Sequence, residues 1–255
     1  MLKLENHPRF KNMTFLKYWK YIVLFALGLF GLTAIEVIIE LATSAIAAGV
    51  YGPTTSEYFE FTHSVVFTMI INGAGYMILF AIFMFFASKD INEYVKSFKH
   101  WQPYVAGIIG FVSIIAFNII YNFILSVAGV DTSVNTNQST LNTVVASFPI
   151  ASLFIFAFIG PICEELTYRV GLFTFFRKIN GVLAYLITII IFSLIHFDFT
   201  STNIVNELLN LPFYVYTAFV FSFLYEKFGL AGSLTAHIVN NFISVLTTIL
   251  EQFFK

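Results

Sequence analysis

Apolar residues run along this chain in long blocks, and polar residues are confined to short gaps between them. The blocks cover about 21–45, 64–87, 103–129, 144–176, 181–197, 203–224 and 229–250. A bilayer core needs roughly 20 apolar helical residues, and most of these blocks meet that length. The pattern predicts an all-α integral membrane protein, a bundle of seven transmembrane helices, or eight if a long block divides. The fourth block is too long for one perpendicular helix and is expected to tilt, project from the membrane or kink at Gly160–Pro161. Pro212 threatens a break in the sixth. The first block is far longer than a signal-peptide core and lacks a clear cleavage site, so it is read as the first span.

Composition agrees with the pattern. The 255 residues are 58% hydrophobic and 11% charged, against about 25% charged in a soluble domain. The 33 Phe exceed what a soluble core of this size would hold and are read as lipid-facing bulk. A net charge of −1 provides no global field for nucleic acid. Cys163, the single cysteine, cannot form an internal disulfide and leaves the redox compartment open.

Charge alternates between successive connections. The N-terminus carries Lys3, Arg9, Lys11, Lys17 and Lys20, and the next connection has Glu57 and Glu60 with no Lys or Arg. Lys89, Lys96 and Lys99 follow, then 131–143 with Asp131 alone. Arg177 and Lys178 come next, then Asp198, then Lys227. By the positive-inside rule this describes a multi-pass protein of the cell membrane with a cytoplasmic N-terminus and, with seven spans, an external C-terminus.

Ionisable residues inside apolar blocks cost at least about 2.5–3.5 kcal/mol on insertion scales, so each needs a reason. Glu164, Glu165 and Arg169 lie in the fourth block, His196 in the fifth, His237, Asn240 and Asn241 in the last. Glu165 and Arg169 are four apart, share a face and can pair, which leaves Glu164 as the carboxylate available for chemistry. Glu164 lies about 20 Å from the turn at Arg177, and His196 about 22 Å from Gly181, so both reach a similar height on antiparallel neighbours. His237 and Asn241, four apart on the last helix, converge toward the same level. Glu36 and Glu40 share a face of the first helix, either lining the cavity or sitting near the outer interface, where Glu207 is also placed.

Two chemistries suit such a group. A carboxylate beside a His can take a proton from water and return it to a leaving amine, while a second His and an Asn amide donate to an oxyanion. Alternatively Glu164, His196 and His237 bind one Zn²⁺ that acidifies the water, with Asn241 assisting. No HExxH element supports zinc locally, and spacing does not choose between the two. Cys163 has no dedicated partner and is a poor nucleophile candidate.

Glu164-Glu165-xxx-Arg169, Phe192-xxx-His196 and His237-xxx-Asn241 together resemble the CPBP family, also called the CAAX-protease and Abi proteins. The resemblance covers roughly residues 145–250, which divides the chain into N-terminal helices, 1–140 with three spans, and a catalytic core, 141–255. It implies an intramembrane endopeptidase acting on a membrane-associated peptide or a lipidated protein. It further implies that Glu164 and His196 activate water, that His237 and Asn241 stabilise the oxyanion, and that Glu165, Arg169 and Phe192 support them. Nothing in the chain identifies a prenyl pocket, so CAAX specificity is not carried over. Two other readings stand beside this one: a non-catalytic immunity or scaffold protein of the same fold, and a transporter or proton relay.

Overall fold

A computed structural model describes residues 15–88 and 90–254, and these are helical with no strand among them. The first helix, α1, runs through Phe15–Ala26, a π segment Leu27–Gly31, and Leu32–Tyr51. Then come α2, Val65–Ala87, and α3, Gln102–Val127. A shorter helix, α4, covers Thr136–Ser147. The long α5 spans Pro149–Arg177, followed by α6, Gly181–Leu194, α7, Ile204–Phe228, and α8, Leu230–Phe253.

Six of these are long and apolar enough to cross a membrane: α1, α2, α3, α5, α7 and α8. The fifth block expected from the sequence, 181–197, is the exception. Its helix α6 has only 14 residues, about 21 Å, and ends at Leu194. The chain then turns, and Thr200 donates from both its amide and its hydroxyl to Asp198 Oδ1. Those bonds fix a tight turn and hold the Asp198 carboxyl below the usual carboxylate range.

The fourth block begins differently from the expectation. Residues 131–143, read as a connection, contain most of the polar helix α4. Phe148 separates α4 from α5 with φ −133 and ψ 61. Pro149 at the first position of α5 explains the break, since a residue before proline is pushed out of the helical region. The prolines inside helices do not break them. Pro161 is accommodated within α5, which stays continuous from Pro149 to Arg177 by passing into π geometry at Ile155–Ile159 and again at Glu165–Phe173. Pro212 lies within an unbroken α7.

Polar caps mark where α2, α4 and α6 start. Ser64 Oγ accepts from the Phe67 amide at 3.1 Å, Asn135 Oδ1 from Gln138 at 3.0 Å, and Asn180 Oδ1 from Val182 and Leu183 at 2.8 and 3.1 Å. Gly229 links α7 to α8 at φ 80, a left-handed conformation that favours glycine.

The centre of the bundle is α5. Its π segment packs directly on α1, and two glycines permit the approach. A Cβ on Gly171 would stand 2.8 Å from the Phe25 amide nitrogen, and one on Gly28 would overlap the Thr167 side chain. Tyr21, Leu24, Leu79, Phe83, Leu166 and Val170 fill the space around this contact. On the opposite flank, Tyr168, Leu172, Phe192, Phe221 and Ala236 join α5 to α6, α7 and α8. Many other apolar side chains face outward, among them Phe30, Phe85, Ile109, Phe123 and Ile150. In water such a surface would be unfavourable, whereas in lipid it is the expected exterior.

Candidate active site

The backbone of α5 sets the site. In its first π segment the Gly160 amide donates to the Ile155 carbonyl, five residues back. The next donor in that register would be residue 161, but proline has no N–H. The Phe156 carbonyl is thereby left available, and the Asn241 Nδ2 group of α8 donates to it at 3.1 Å. Pro161 thus helps fix a polar side chain on a different helix. Just past it, Glu164 and Glu165 point in different directions, and the second π segment begins at Glu165. Short π segments inside α-helices frequently mark functional sites.

Glu165 is fully buried and joins two partners. Arg169 Nη1 lies 3.0 Å from its Oε1, and His237 Nδ1 lies 2.9 Å from the same oxygen. The pairing expected from the four-residue spacing is present, and the bond to His237 extends it across helices. Arg169 is also fully buried, with its guanidinium carbon 4.5 Å from the Phe192 ring centroid and 5.1 Å from that of Phe221. Aromatic faces favour a cation here, and Phe192 serves this role through its ring. His237 stacks on Phe221, ring centroids 4.5 Å apart and planes at 25°.

Glu164 takes its partners from other helices and not from its own. Tyr76 of α2 donates its hydroxyl to Glu164 Oε1 at 3.3 Å, and His237 Nε2 stands 3.7 Å from Oε2. His237 therefore bridges the two carboxylates, with one ring nitrogen toward each. Tyr76 escaped the sequence reading because a lone Tyr in an apolar helix carries no spacing signal. Its contact with Glu164 spans 88 residues.

His196 lies in the turn just beyond α6 and not inside the helix. Its Nδ1 is 2.8 Å from the Phe192 carbonyl. A carbonyl only accepts, so Nδ1 carries the hydrogen and Nε2 is the nitrogen left for chemistry. The Phe192-xxx-His196 spacing is the i to i+4 relation this bond needs. Tyr214 of α7 stacks on the imidazole, centroids 4.6 Å apart at 21°, and donates to Asn135 Oδ1 at 3.2 Å. Asn135 Nδ2 returns to the His196 carbonyl at 2.9 Å. Asn135 and Tyr214 thus clamp the turn that presents His196, and neither stood out in the sequence.

Glu164, His196, His237, Asn241 and Tyr76 all line one cavity. Four of these were expected to converge, from three helices. The observed donors are α5, the turn after α6, α8 and, unexpectedly, α2. Glu36 and Glu40 do not line it. Glu36 packs beside Gly75, and Glu40 is exposed. Cys163 is buried outside the cavity lining, its thiol 3.9 Å from the Tyr76 carbonyl. Glu207 is buried at the start of α7. It accepts from the amide and hydroxyl of Thr136, each at 2.9 Å, and from the Asp198 amide at 3.3 Å, which binds two connections together.

The zinc alternative calls on Glu164, His196 and His237. Both candidate histidines have Nδ1 held, by Glu165 and by the Phe192 carbonyl, which leaves Nε2 as the nitrogen each could offer to an ion. Among the described residues no three His, Cys, Asp or Glu side chains are grouped closely enough to hold one metal ion.

No curated protein and no solved structure matches the chain. Residues 146–243, the stretch that contains all three motifs and the four converging side chains, are similar to the Rce1-like family, described as type II CAAX prenyl endopeptidase Rce1-like.

Proposed function

We propose that the chain is an intramembrane endopeptidase that hydrolyses a peptide bond in a membrane-associated peptide or protein. The observation that carries this reading is the convergence of Glu164, His196, His237 and Asn241 on one cavity inside an apolar bundle. The matched family is named for cleavage of prenylated CAAX proteins, and that family name is the support for a lipidated substrate.

The steps follow from the side chains. Glu164, with His196 Nε2 beside the same cavity, takes a proton from water as its oxygen attacks the scissile carbonyl carbon. The carbonyl becomes a tetrahedral oxyanion. Asn241 gives one amide hydrogen to Phe156 and retains the other for the oxyanion. His237 already donates Nδ1–H to Glu165, so a second donation from Nε2 requires the doubly protonated ring. The carboxylates on either side of it, Glu164 and Glu165, suit that charge, and Arg169 balances the second of them. The proton held by Glu164 or His196 then passes to the departing amine as the C–N bond breaks.

Glu164→Gln tests the assignment. It retains the shape and the contact with Tyr76 but removes the base. Turnover of a membrane-anchored peptide substrate should fall at least ~10²-fold with normal accumulation of the protein. Wild-type turnover by this variant would remove Glu164 from the mechanism. Metal content of the purified wild-type protein is the companion measurement: stoichiometric zinc lost in both His196→Ala and His237→Ala would replace the metal-free steps and keep the peptidase reading.

A further inference from the structure

The two ends of the bundle differ in charge, and the cavity reaches only one of them. At one end Lys20 pairs with Asp90 at 2.7 Å, Arg177 with Glu226 at 2.8 Å, and the Ala231 amide donates to Ser97 Oγ at 3.0 Å. Lys96, Lys99, Lys178 and Lys227 belong to the same end. Of the described Lys and Arg residues, only Arg169 lies elsewhere. At the other end Ser133 donates its amide to Asn206 Oδ1 at 3.0 Å, Asn135 to the His196 carbonyl, and Thr136 to Glu207. The connections there carry Glu57, Glu60, Asp131 and Asp198, with no Lys or Arg.

The catalytic cavity is walled at this second end by Asn137, Gln138, Thr140 and Leu141 of α4, and by Thr68 in the first turn of α2. It shares Gln138, Phe213, Tyr214, Asn240 and Ser244 with a second groove that continues outward between α3, α7 and α8. Carboxamides line that groove: Asn118, Asn122, Asn142 and Asn210. Among the described residues, Glu251 is the one charged side chain that lines it. Such groups both donate and accept hydrogen bonds, which suits the amide backbone of an extended peptide. At the basic end the helices are tied by the buried Arg177–Glu226 pair, with the Tyr185 hydroxyl donating to Glu226 at 2.6 Å.

We infer that the site is loaded from the side of the membrane opposite the basic connections, through the carboxamide-lined groove. By the positive-inside rule the basic end is cytoplasmic. The substrate is then a peptide segment already delivered to the non-cytoplasmic face, entering extended and with its backbone bonded to the groove. This rests on the peptidase reading for its substrate, whereas the accessible side follows from the end of the bundle that the cavity reaches and from the placement of the basic residues.

Cysteine labelling in a Cys163→Ala background tests it on intact cells. Thr140→Cys places a thiol at the mouth, where Thr140 is exposed, and Lys178→Cys places one at the basic end. A membrane-impermeant maleimide is expected to modify Thr140→Cys in intact cells and Lys178→Cys only after permeabilisation. Ser139→Cys, also exposed, substitutes if Thr140→Cys accumulates poorly. Modification of the mouth position only after permeabilisation overturns the proposal. Failure of the peptidase reading would look different: the labelling pattern would stand, while the purified wild-type protein would hydrolyse no membrane-anchored peptide.

Discussion

Glu165 shows at the scale of one residue how a buried charge is made tolerable. One carboxylate oxygen faces both a guanidinium and an imidazole, at 3.0 and 2.9 Å. Breaking such a cluster from one side typically costs about 3–5 kcal/mol, because the remaining charge is left without a counterpart. Glu164 is in a different position. Its side chain keeps 17% of its surface open, and the Tyr76 hydroxyl holds one oxygen. A hydrogen bond to a charged group contributes about 1.5–3 kcal/mol. Tyr76→Phe removes that bond and leaves the ring against Phe156. We expect kcat to fall about 10–100-fold with little change in thermal stability. An unchanged kcat would reduce Tyr76 to a packing residue.

At the scale of the element, α5 departs from regular α-helix where the chemistry is placed. Pro161 removes the donor that the Phe156 carbonyl would otherwise receive, and Asn241 takes its place. Pro161→Ala restores an N–H at that position, in competition with the Asn241 amide. The helix itself should become no less stable, since alanine is the better helix former. Asn241 would lose its fixed orientation, so activity should fall ~10-fold or more while the melting temperature is held or rises. Parallel loss of stability and activity would show instead that the π geometry of Ile155–Ile159 depends on the proline.

At the scale of the whole molecule, the matched segment 146–243 does not stand alone. Helix α1, outside it, contacts α5 at backbone distance through Gly171 and Gly28. Helix α2, also outside it, contributes Tyr76. Gly171→Ala would force its methyl against the α1 backbone, which has no flexible side chain to yield there. Overpacking of this kind costs typically 1–3 kcal/mol. The expected outcome is a lower melting temperature in detergent and weaker accumulation, together with lower activity from misplaced carboxylates. Full stability in Gly171→Ala would mean that α1 is free to move away from α5.

The sequence by itself determined the helical, membrane-spanning class, because apolar blocks that long and that poor in charge are favourably surrounded only by lipid, where a helix satisfies its own backbone. It also set several neighbours, since Glu165 with Arg169 and Phe192 with His196 follow a four-residue spacing that local helix geometry converts into contact, and the same spacing puts His237 and Asn241 on the cavity side of one helix. Tertiary structure alone decided the rest. The Tyr76–Glu164 bond joins residues 88 apart, the Asn135–Tyr214 clamp joins residues 79 apart, and His237 reaches Glu165 across 72. No local pattern encodes such contacts, because each depends on which helices become neighbours. The shortened α6 and the separate α4 were obscured for another reason. Apolarity continues through both boundaries, and the chain there is interrupted by a proline's backbone restriction and by side-chain bonds to a turn.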